Sequence, residues 1–123
     1  MKVTELTGHA LNWAVAKCEG YEIVRMRGNE ITFLDRTEDG ALNEKQIGYS
    51  TDWAQGGPII EREHIGLWSE GYDWEAKIQT GAGEWLVEWD EESPLVAAMR
   101  CYVASKLGDE VEIPAELTQG EDA

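Results

Sequence analysis

The feature that most constrains the fold of this 123-residue chain is one long helical pattern between Ser93 and Gly108. Its large apolar residues recur three or four positions apart: Leu95, Met99, Tyr102, Val103 and Leu107. Ser93 supplies a capping hydroxyl, Pro94 suits the first helical position, and Gly108 provides the exit. The pattern therefore predicts a helix over residues 94–107 that forms the main buried rod of the core.

Two further helices are predicted earlier in the chain. Residues 7–17 carry apolar side chains at helical spacing, and Gly20 ends that pattern. The second is a short helix over residues 58–65. It begins at Pro58, because proline lacks the N–H that would have no partner at that position, and it stops at Gly66.

Two β-hairpins are predicted from runs rich in β-branched and aromatic residues. The first pairs residues 21–27 with residues 30–36, and the second pairs residues 74–80 with residues 84–90. The resulting fold class is α+β, with a small antiparallel sheet built from two hairpins and packed against an N-terminal helix and a C-terminal helix.

The remaining segments have weaker signals. We expect a surface loop at residues 37–45, a short strand at 46–49 and a turn-rich connection at 67–73. Because the chain is short, residues 1–113 are expected to form a single domain. Residues 114–123 are expected to form an acidic, flexible C-terminal tail.

Charge is the strongest compositional feature, since 25 acidic residues oppose 10 basic ones and give a net charge of −15. Direct nucleic-acid binding is disfavoured, because phosphate recognition draws its affinity from Lys and Arg. An acidic surface serves solubility or docks on a basic host protein. No signal peptide or apolar run of ~18 residues is present, so we expect a cytoplasmic protein without a membrane span. The sequence is also compatible with a homodimer.

Motifs for catalysis are weak. Cys18 and Cys101 are predicted to be buried free thiols, since they lack a CxxC spacing. One Glu-x-x-His pair, Glu61 and His64, is too little for a two-metal site, and no cofactor is expected. No serine lies in a Gly-x-Ser-x-Gly turn. These features favour a protein without catalytic residues, and an enzyme would require titratable groups that converge in a cleft.

The most unusual segment is residues 49–58, which gathers aromatic, hydroxyl, amide and glycine residues ahead of the predicted helix start. Tyr49 or Trp53 can stack on a planar ring. Gly56 and Gly57 let backbone approach a ligand closely, and free N–H groups at a helix start bind anions. The segment matches no nucleotide-binding motif, so a structural loop is the alternative.

Other polar residues would complete such a ligand site. Thr51, Asp52 and Gln55 would recognise hydroxyl groups or base edges. Arg62 or Arg100 would supply positive charge for a phosphate. The predicted ligand is a small polar, nucleotide-like molecule.

Six tryptophans are many for a chain of this length. Three recur at helical or strand periodicity and are expected in the core: Trp13, Trp85 and Trp89. Three lie in or beside predicted loops and are candidates for stacking platforms or partner anchors: Trp53, Trp68 and Trp74.

Three blocks of this sequence resemble the NinX-like bacteriophage proteins, in the same order: LNWAVAKC at residues 11–18, YSTDWAQGGPIIERE at 49–63 and SPLVAAMRCYVASKLG at 93–108. Ser93 stands where the family carries asparagine, a change that preserves helix capping. The resemblance implies a phage or prophage origin and an accessory role in an infected bacterium. It implies no reaction and no site residue.

Two functions follow as hypotheses. The first is a non-enzymatic binding module that captures a nucleotide-like molecule, which in a phage protein would suit sequestering a host immune signal. The alternative is an acidic inhibitor or nucleic-acid mimic that docks on a basic site of a host or phage enzyme.

Overall fold

The computed structural model of the protein describes residues 1–21, 23–27, 30–36, 42–69, 71–90 and 92–114. Within these ranges the helices are α1 Gly8–Glu19, α2 Trp53–Glu63 and α3 Pro94–Leu107. The strands are β1 Ile23–Arg27, β2 Glu30–Arg36, β3 Leu42–Gln46, β4 Gly66–Ser69, β5 Trp74–Gln79 and β6 Trp85–Asp90. The α+β class is confirmed. Residues 37–41 of the predicted loop and 115–123 of the predicted tail lie outside the described residues, and the single-domain assignment stays a prediction.

The helix α3 lies at the centre of the core with the bounds that the sequence predicts. The Ser93 hydroxyl accepts a hydrogen bond from the Val96 N–H at 3.1 Å, and Gly108 ends the helix with φ of 87°. Leu95 and the run from Ala97 to Ala104 are buried. They contact α1, α2 and the strands β5 and β6, so one helix organises most of the packing.

The helix α1 also follows its prediction. Gly20 takes the left-handed conformation with φ of 84°, and its N–H reaches the last carbonyls of the helix. Leu11 and Val15 are fully buried on the face that meets α3, and Cys18 beside them is half-buried. Thr7 precedes the helix without forming a side-chain cap.

Both predicted hairpins form, and each gains a third strand. The strand order is β1-β2-β3 in the first sheet and β4-β5-β6 in the second, and the neighbouring strands are antiparallel. The hairpins thus belong to two sheets rather than to one. The second sheet packs on α3 through Ala76 and Ile78 of β5 and Leu86 of β6.

The third strand of each sheet corrects the sequence predictions. Residues 42–46, expected to form the end of a loop and the start of a short strand at 46–49, instead form β3 Leu42–Gln46, which pairs with β2, and residues 47–49 are not in a strand. The connection expected at residues 67–73 contains β4 Gly66–Ser69, which pairs with β5. A neighbouring strand supplies hydrogen-bond partners that make weak strand formers adopt the extended conformation, so tertiary pairing overrides local propensity.

The start of α2 differs from the prediction as well. The helix begins at Trp53, because the Asp52 side chain caps it by accepting the Ala54 N–H at 2.9 Å. Pro58 therefore lies inside the helix, and the helix ends at Glu63 with His64 in the left-handed conformation at φ of 56°. Proline at this position removes the hydrogen bond to the carbonyl of Ala54, and its ring crowds that carbonyl, so the helix continues through Pro58 at a cost.

Candidate functional site

The predicted ligand segment is a tight turn that leads into α2. Tyr49 and Ser50 are buried, and the Ser50 N–H donates to Oδ1 of Asn12 in α1 at 2.8 Å. The N–H groups of Thr51 and Asp52 both donate to the carbonyl of Gly48, at 3.1 and 2.8 Å. These bonds hold the turn against α1 and satisfy its backbone donors within the protein.

The two glycines in this segment lie inside α2 rather than in a loop ahead of it. A Cβ on Gly56 would lie 2.5 Å from the Tyr49 carbonyl oxygen, so Gly56 allows close packing. Its N–H bonds to the Asp52 carbonyl at 2.9 Å, and the Gln55 side chain accepts the Gly48 N–H at 2.8 Å. The helix start predicted at Pro58 would have offered free donors here, and capping by Asp52 moves that start to Trp53. Gly57 lies one residue further into the helix.

The exposed polar and aromatic residues of the segment are Thr51, Asp52 and Trp53, and Trp53 is 51% exposed. One buried group beside them is unsatisfied, since Oγ of Ser50 has no hydrogen-bond partner among the described residues. The structure thus brings Tyr49, Thr51, Asp52, Trp53, Gln55, Gly56 and Gly57 together in one turn and the first turns of α2. The ligand itself stays a prediction.

The two arginines that the sequence suggested for this site, Arg62 and Arg100, instead form hydrogen bonds with other parts of the fold. The Arg62 guanidinium donates to the Glu19 carboxylate at 3.1 and 2.7 Å and also to the Tyr102 hydroxyl at 3.2 Å. The Arg100 side chain donates to the carbonyl of Leu6 at 2.8 Å and to the carbonyl of Trp89. The positive charges of Arg62 and Arg100 are therefore used in contacts that hold different elements of the fold together.

The Arg62 contact forms a triad that joins α1, α2 and α3. The Tyr102 hydroxyl donates to the same Glu19 carboxylate at 2.5 Å. Burial opposes ionisation of Glu19, but hydrogen bonds from Arg62 and Tyr102 and the positive charge of Arg62 outweigh it and lower the pKa of this carboxyl. Burial and the Glu19 hydrogen bond raise the pKa of Tyr102, so the triad holds one ionised acid and one neutral phenol at neutral pH.

Several strongly exposed aromatic residues lie on a different surface, in and beside the second sheet. Trp68 of β4 is 59% exposed, and Trp85 and Trp89 of β6 are 59% and 54% exposed. Tyr72, in the turn between β4 and β5, is 91% exposed. We call the solvent side of the second sheet the outer sheet face: Trp68, Glu75, Lys77, Trp85, Val87 and Trp89.

Trp85 and Trp89 correct the expectation that they pack in the core. The helix α3 covers the opposite side of the sheet, towards which Ala76, Ile78 and Leu86 point. Successive strand residues alternate between faces, so this placement leaves both indoles in solvent. Of the other tryptophans, Trp13 and Trp74 are partly buried against the core, as expected for Trp13. Trp53 and Trp68 are 51% and 59% exposed, so both are accessible as candidate stacking platforms or partner anchors, and Trp74 is less accessible.

The sequence carried a signal for the outer sheet face. In the β5–β6 hairpin, Glu75 pairs with Trp89 and Lys77 pairs with Val87. Directly paired residues in an antiparallel sheet point to the same side. Because β5 alternates charged residues with Trp74, Ala76 and Ile78, the charged side is the solvent side, and the tryptophans of β6 follow it.

A hollow of about 540 Å³ lies on the outer sheet face, open to solvent. Its lining combines aromatic and charged side chains: Trp68, Tyr72, Asp73, Glu75, Lys77 and Trp89. Lys77 Nζ lies 3.5 Å from Glu75 Oε1, and its side chain is half-exposed. Aromatic walls with carboxylates suit a ligand that is flat or apolar on its faces and positively charged.

A second hollow of about 530 Å³ adjoins the first across Trp89. It is lined by Thr4, Asp73, Glu88, Trp89, Asp90, Glu92 and Arg100. Asp90 lies 3.4 Å from the Arg100 guanidinium and is thereby partly neutralised. Burial raises the pKa of Glu88, although Arg100 opposes the shift. The acidic character of the first hollow thus extends around the sheet edge.

The two cysteine thiols lie in surroundings that disfavour the reactive thiolate form. Burial raises the pKa of the Cys18 and Cys101 thiols to about 12, with the neighbouring carboxylates of Glu19 and Glu88 adding to the shift. A thiol of that pKa is protonated at neutral pH and is a poor nucleophile. Among the described residues, no group of three or more His, Cys, Asp or Glu side chains is placed to hold a metal ion.

Comparisons with known proteins give one family. The family model described as bacteriophage P22, NinX matches residues 2–106, which include the turn before α2 and the outer sheet face. The comparison with curated proteins gives no match. No helix in the described part of the chain has the length and apolar character needed to cross a bilayer.

Proposed function

We propose a protein-binding function for this chain, which belongs to the bacteriophage P22 NinX family. In this proposal it is a non-enzymatic phage accessory protein that docks a basic segment of a host or phage protein on its outer sheet face. The observation that carries the proposal is that Trp68, Trp85 and Trp89 are each more than half exposed on that one face.

Exposed indoles on a sheet face are unusual in a protein that acts alone. A tryptophan in solvent leaves a large apolar area hydrated, whereas burial against a partner releases that water. Tryptophan and tyrosine are also the residues most enriched among those that dominate binding energy. The outer sheet face with neighbouring Tyr72 therefore has the composition of a binding surface.

Charge defines the kind of partner. Carboxylates of Asp73 and Glu75 lie among the aromatic side chains, and the whole chain carries a net charge of −15. A basic protein surface is attracted to this field, and a phosphate backbone is repelled by it. Salt should weaken the complex, because part of its stability comes from charges near the surface.

The test is affinity isolation from phage-infected cells, with the wild-type protein compared with a Trp68→Ala, Trp89→Ala double variant. The matched control is Trp53→Ala, which removes a half-exposed indole from α2. We expect one basic protein to be recovered with wild type and control, to be lost with the double variant, and to be released by salt. Equal recovery with all three proteins would refute the proposal.

Capture of a nucleotide-like molecule by residues 49–57, which form a turn and the first turns of α2, is the second candidate. Its support is the buried Oγ of Ser50, which has no hydrogen-bond partner in the part of the chain that the structure describes and lies next to the exposed Thr51 and Trp53. In a phage protein such capture would counter a host signal. Native mass spectrometry with a panel of nucleotides tests it: a retained nucleotide lost in Trp53→Ala supports this site, and no retained mass at any concentration contradicts it.

A further inference from the structure

The hollow on the outer sheet face has one carboxylate held between two indoles. Trp68 of β4 pairs with Glu75 of β5, and Glu75 pairs in turn with Trp89 of β6. The three residues therefore form one row across three strands, all on the solvent side. The Glu75 side chain is 23% exposed, so it forms the floor of the hollow between the indole walls.

The spacing of this row suits one flat group. Neighbouring strands lie ~4.8 Å apart, so the backbones of Trp68 and Trp89 are separated by about 10 Å. A flat group stacked between two rings needs two contacts of ~3.5 Å each, or about 7 Å between ring planes. A small lean of the two side chains towards each other would bring the ring planes to that separation, with space for one flat group between them.

The charges favour a cation in that layer. The ring faces of tryptophan attract positive charge, and Glu75 lies within the same row. Asp73 at the rim forms no ion pair within the described ranges and adds a second negative charge. A nucleotide has a flat base as well, but its phosphates would meet these two carboxylates.

We propose that this hollow receives an arginine side chain of the partner, with the guanidinium stacked between Trp68 and Trp89 and hydrogen-bonded to Glu75. The inference rests on the proposed function and names the chemistry of its central contact. Arginine fits better than lysine, because its guanidinium is planar, stacks on aromatic rings and binds a carboxylate through two parallel hydrogen bonds.

Lys77 holds the carboxylate while the hollow is free. Its ammonium lies 3.5 Å from Glu75, but half of its side chain is exposed, and exposed ion pairs are weak and easily exchanged. An incoming guanidinium would replace it. Lys77→Met keeps the length of the side chain and removes the competing charge, so this variant should bind the guanidinium more tightly than wild type.

The experiment is an NMR titration of the full chain, in which the indole N–H signals of the six tryptophans report the site. The probe is an acetylated Gly-Arg-Gly amide, and the matched control replaces arginine with citrulline, which is flat but neutral. We expect the signals of Trp68 and Trp89 to shift, those of Trp13 and Trp53 to stay, and citrulline to bind on the order of tenfold more weakly. Glu75→Gln should weaken arginine binding by a similar factor, and Lys77→Met should strengthen it.

Three outcomes would overturn the inference: no shift of Trp68 and Trp89, equal binding of arginine and citrulline, or a stronger response of these two indoles to adenosine monophosphate than to the arginine peptide. Unshifted signals from the other tryptophans show that each variant is folded. If the isolated partner depends on Trp68 and Trp89 but the arginine peptide fails, only this inference falls. If the partner binds the double variant normally, the proposed function falls whatever the peptide does.

Discussion

Gly56 of α2 packs so closely on Leu95 of α3 that a Cβ on Gly56 would lie 2.6 Å from Leu95 Cδ1. The same Cβ would lie 2.5 Å from the carbonyl oxygen of Tyr49. Real side chains do not approach that closely, so only glycine lets α2 reach α3 while the turn at Tyr49 stays in place. This close contact explains why the position requires glycine, and the explanation involves no ligand.

Gly56→Ala should therefore destabilise the fold by about 1–3 kcal/mol, as expected when a packed contact is overfilled. Gly57→Ala is the matched control, since its Cβ would meet only Trp53 Cε3 at 3.9 Å. There alanine should be neutral or stabilise α2 by up to ~1 kcal/mol, because it favours helix more than glycine does. Urea unfolding of both variants measures the difference, and equal effects would contradict the packing argument.

The cap of α3 should contribute measurably to stability. Ser93→Ala removes the acceptor of the Val96 N–H and should cost about 1 kcal/mol. Thr7→Ala changes the residue in the equivalent position of α1, whose side chain makes no capping bond, and should change stability by less than ~0.5 kcal/mol. Thermal unfolding of the two variants distinguishes these effects. An equal loss in both would mean that the Ser93 bond contributes little.

Among the charged residues, Arg100 should be one of those whose substitution lowers the stability of the fold most. Its side chain is only 10% exposed and donates to the carbonyls of Leu6 and Trp89, so Arg100→Met leaves both acceptors and Asp90 without that partner. We expect a loss of about 3 kcal/mol in the free energy of unfolding. Arg62→Met is the control, since its side chain is 49% exposed and should cost about 1 kcal/mol or less. Similar losses in chemical denaturation would refute this ranking.

Acid should weaken the triad that joins the three helices. Because the pKa of Glu19 is lowered in the folded protein, ionised Glu19 stabilises the fold above its ordinary pKa of 4.5. That contribution is lost as the pH falls through the folded-state pKa. Glu19→Gln should therefore be less stable than wild type at pH 7, by about 1 kcal/mol after allowing for solvent screening. The two proteins should converge at low pH in urea unfolding, and a constant gap would contradict the assignment.

The helices and strands that have strong local signals were predictable from the sequence. The helix α3 has a capping serine, a proline at its first position and apolar residues at helical spacing, and α1 ends at a glycine in the left-handed conformation. Both hairpins come from strand-forming runs separated by short turns. Each signal acts through neighbouring residues in the chain, so no knowledge of the packing is needed to recognise it.

Of the candidate site, the sequence singled out residues 49–58 and named Trp53 and Trp68 as candidate platforms, but it placed Trp85 and Trp89 in the core, where the structure exposes them. The alternation of β6 taken alone points to the wrong face, because Trp85, Val87 and Trp89 are all apolar whereas the opposite face carries Glu88 and Asp90. The position of α3 on the opposite side of the sheet decides which face of β6 is buried.

The sequence by itself thus determined where the main helices and hairpins lie and that the chain carries a large negative net charge. The tertiary structure decided the rest: the third strand of each sheet, the start of α2 ahead of Pro58, and the side of the second sheet that faces water. The physical reason is that caps and periodicity act within a few residues of the chain. Strand pairing and burial depend on what a distant segment places alongside.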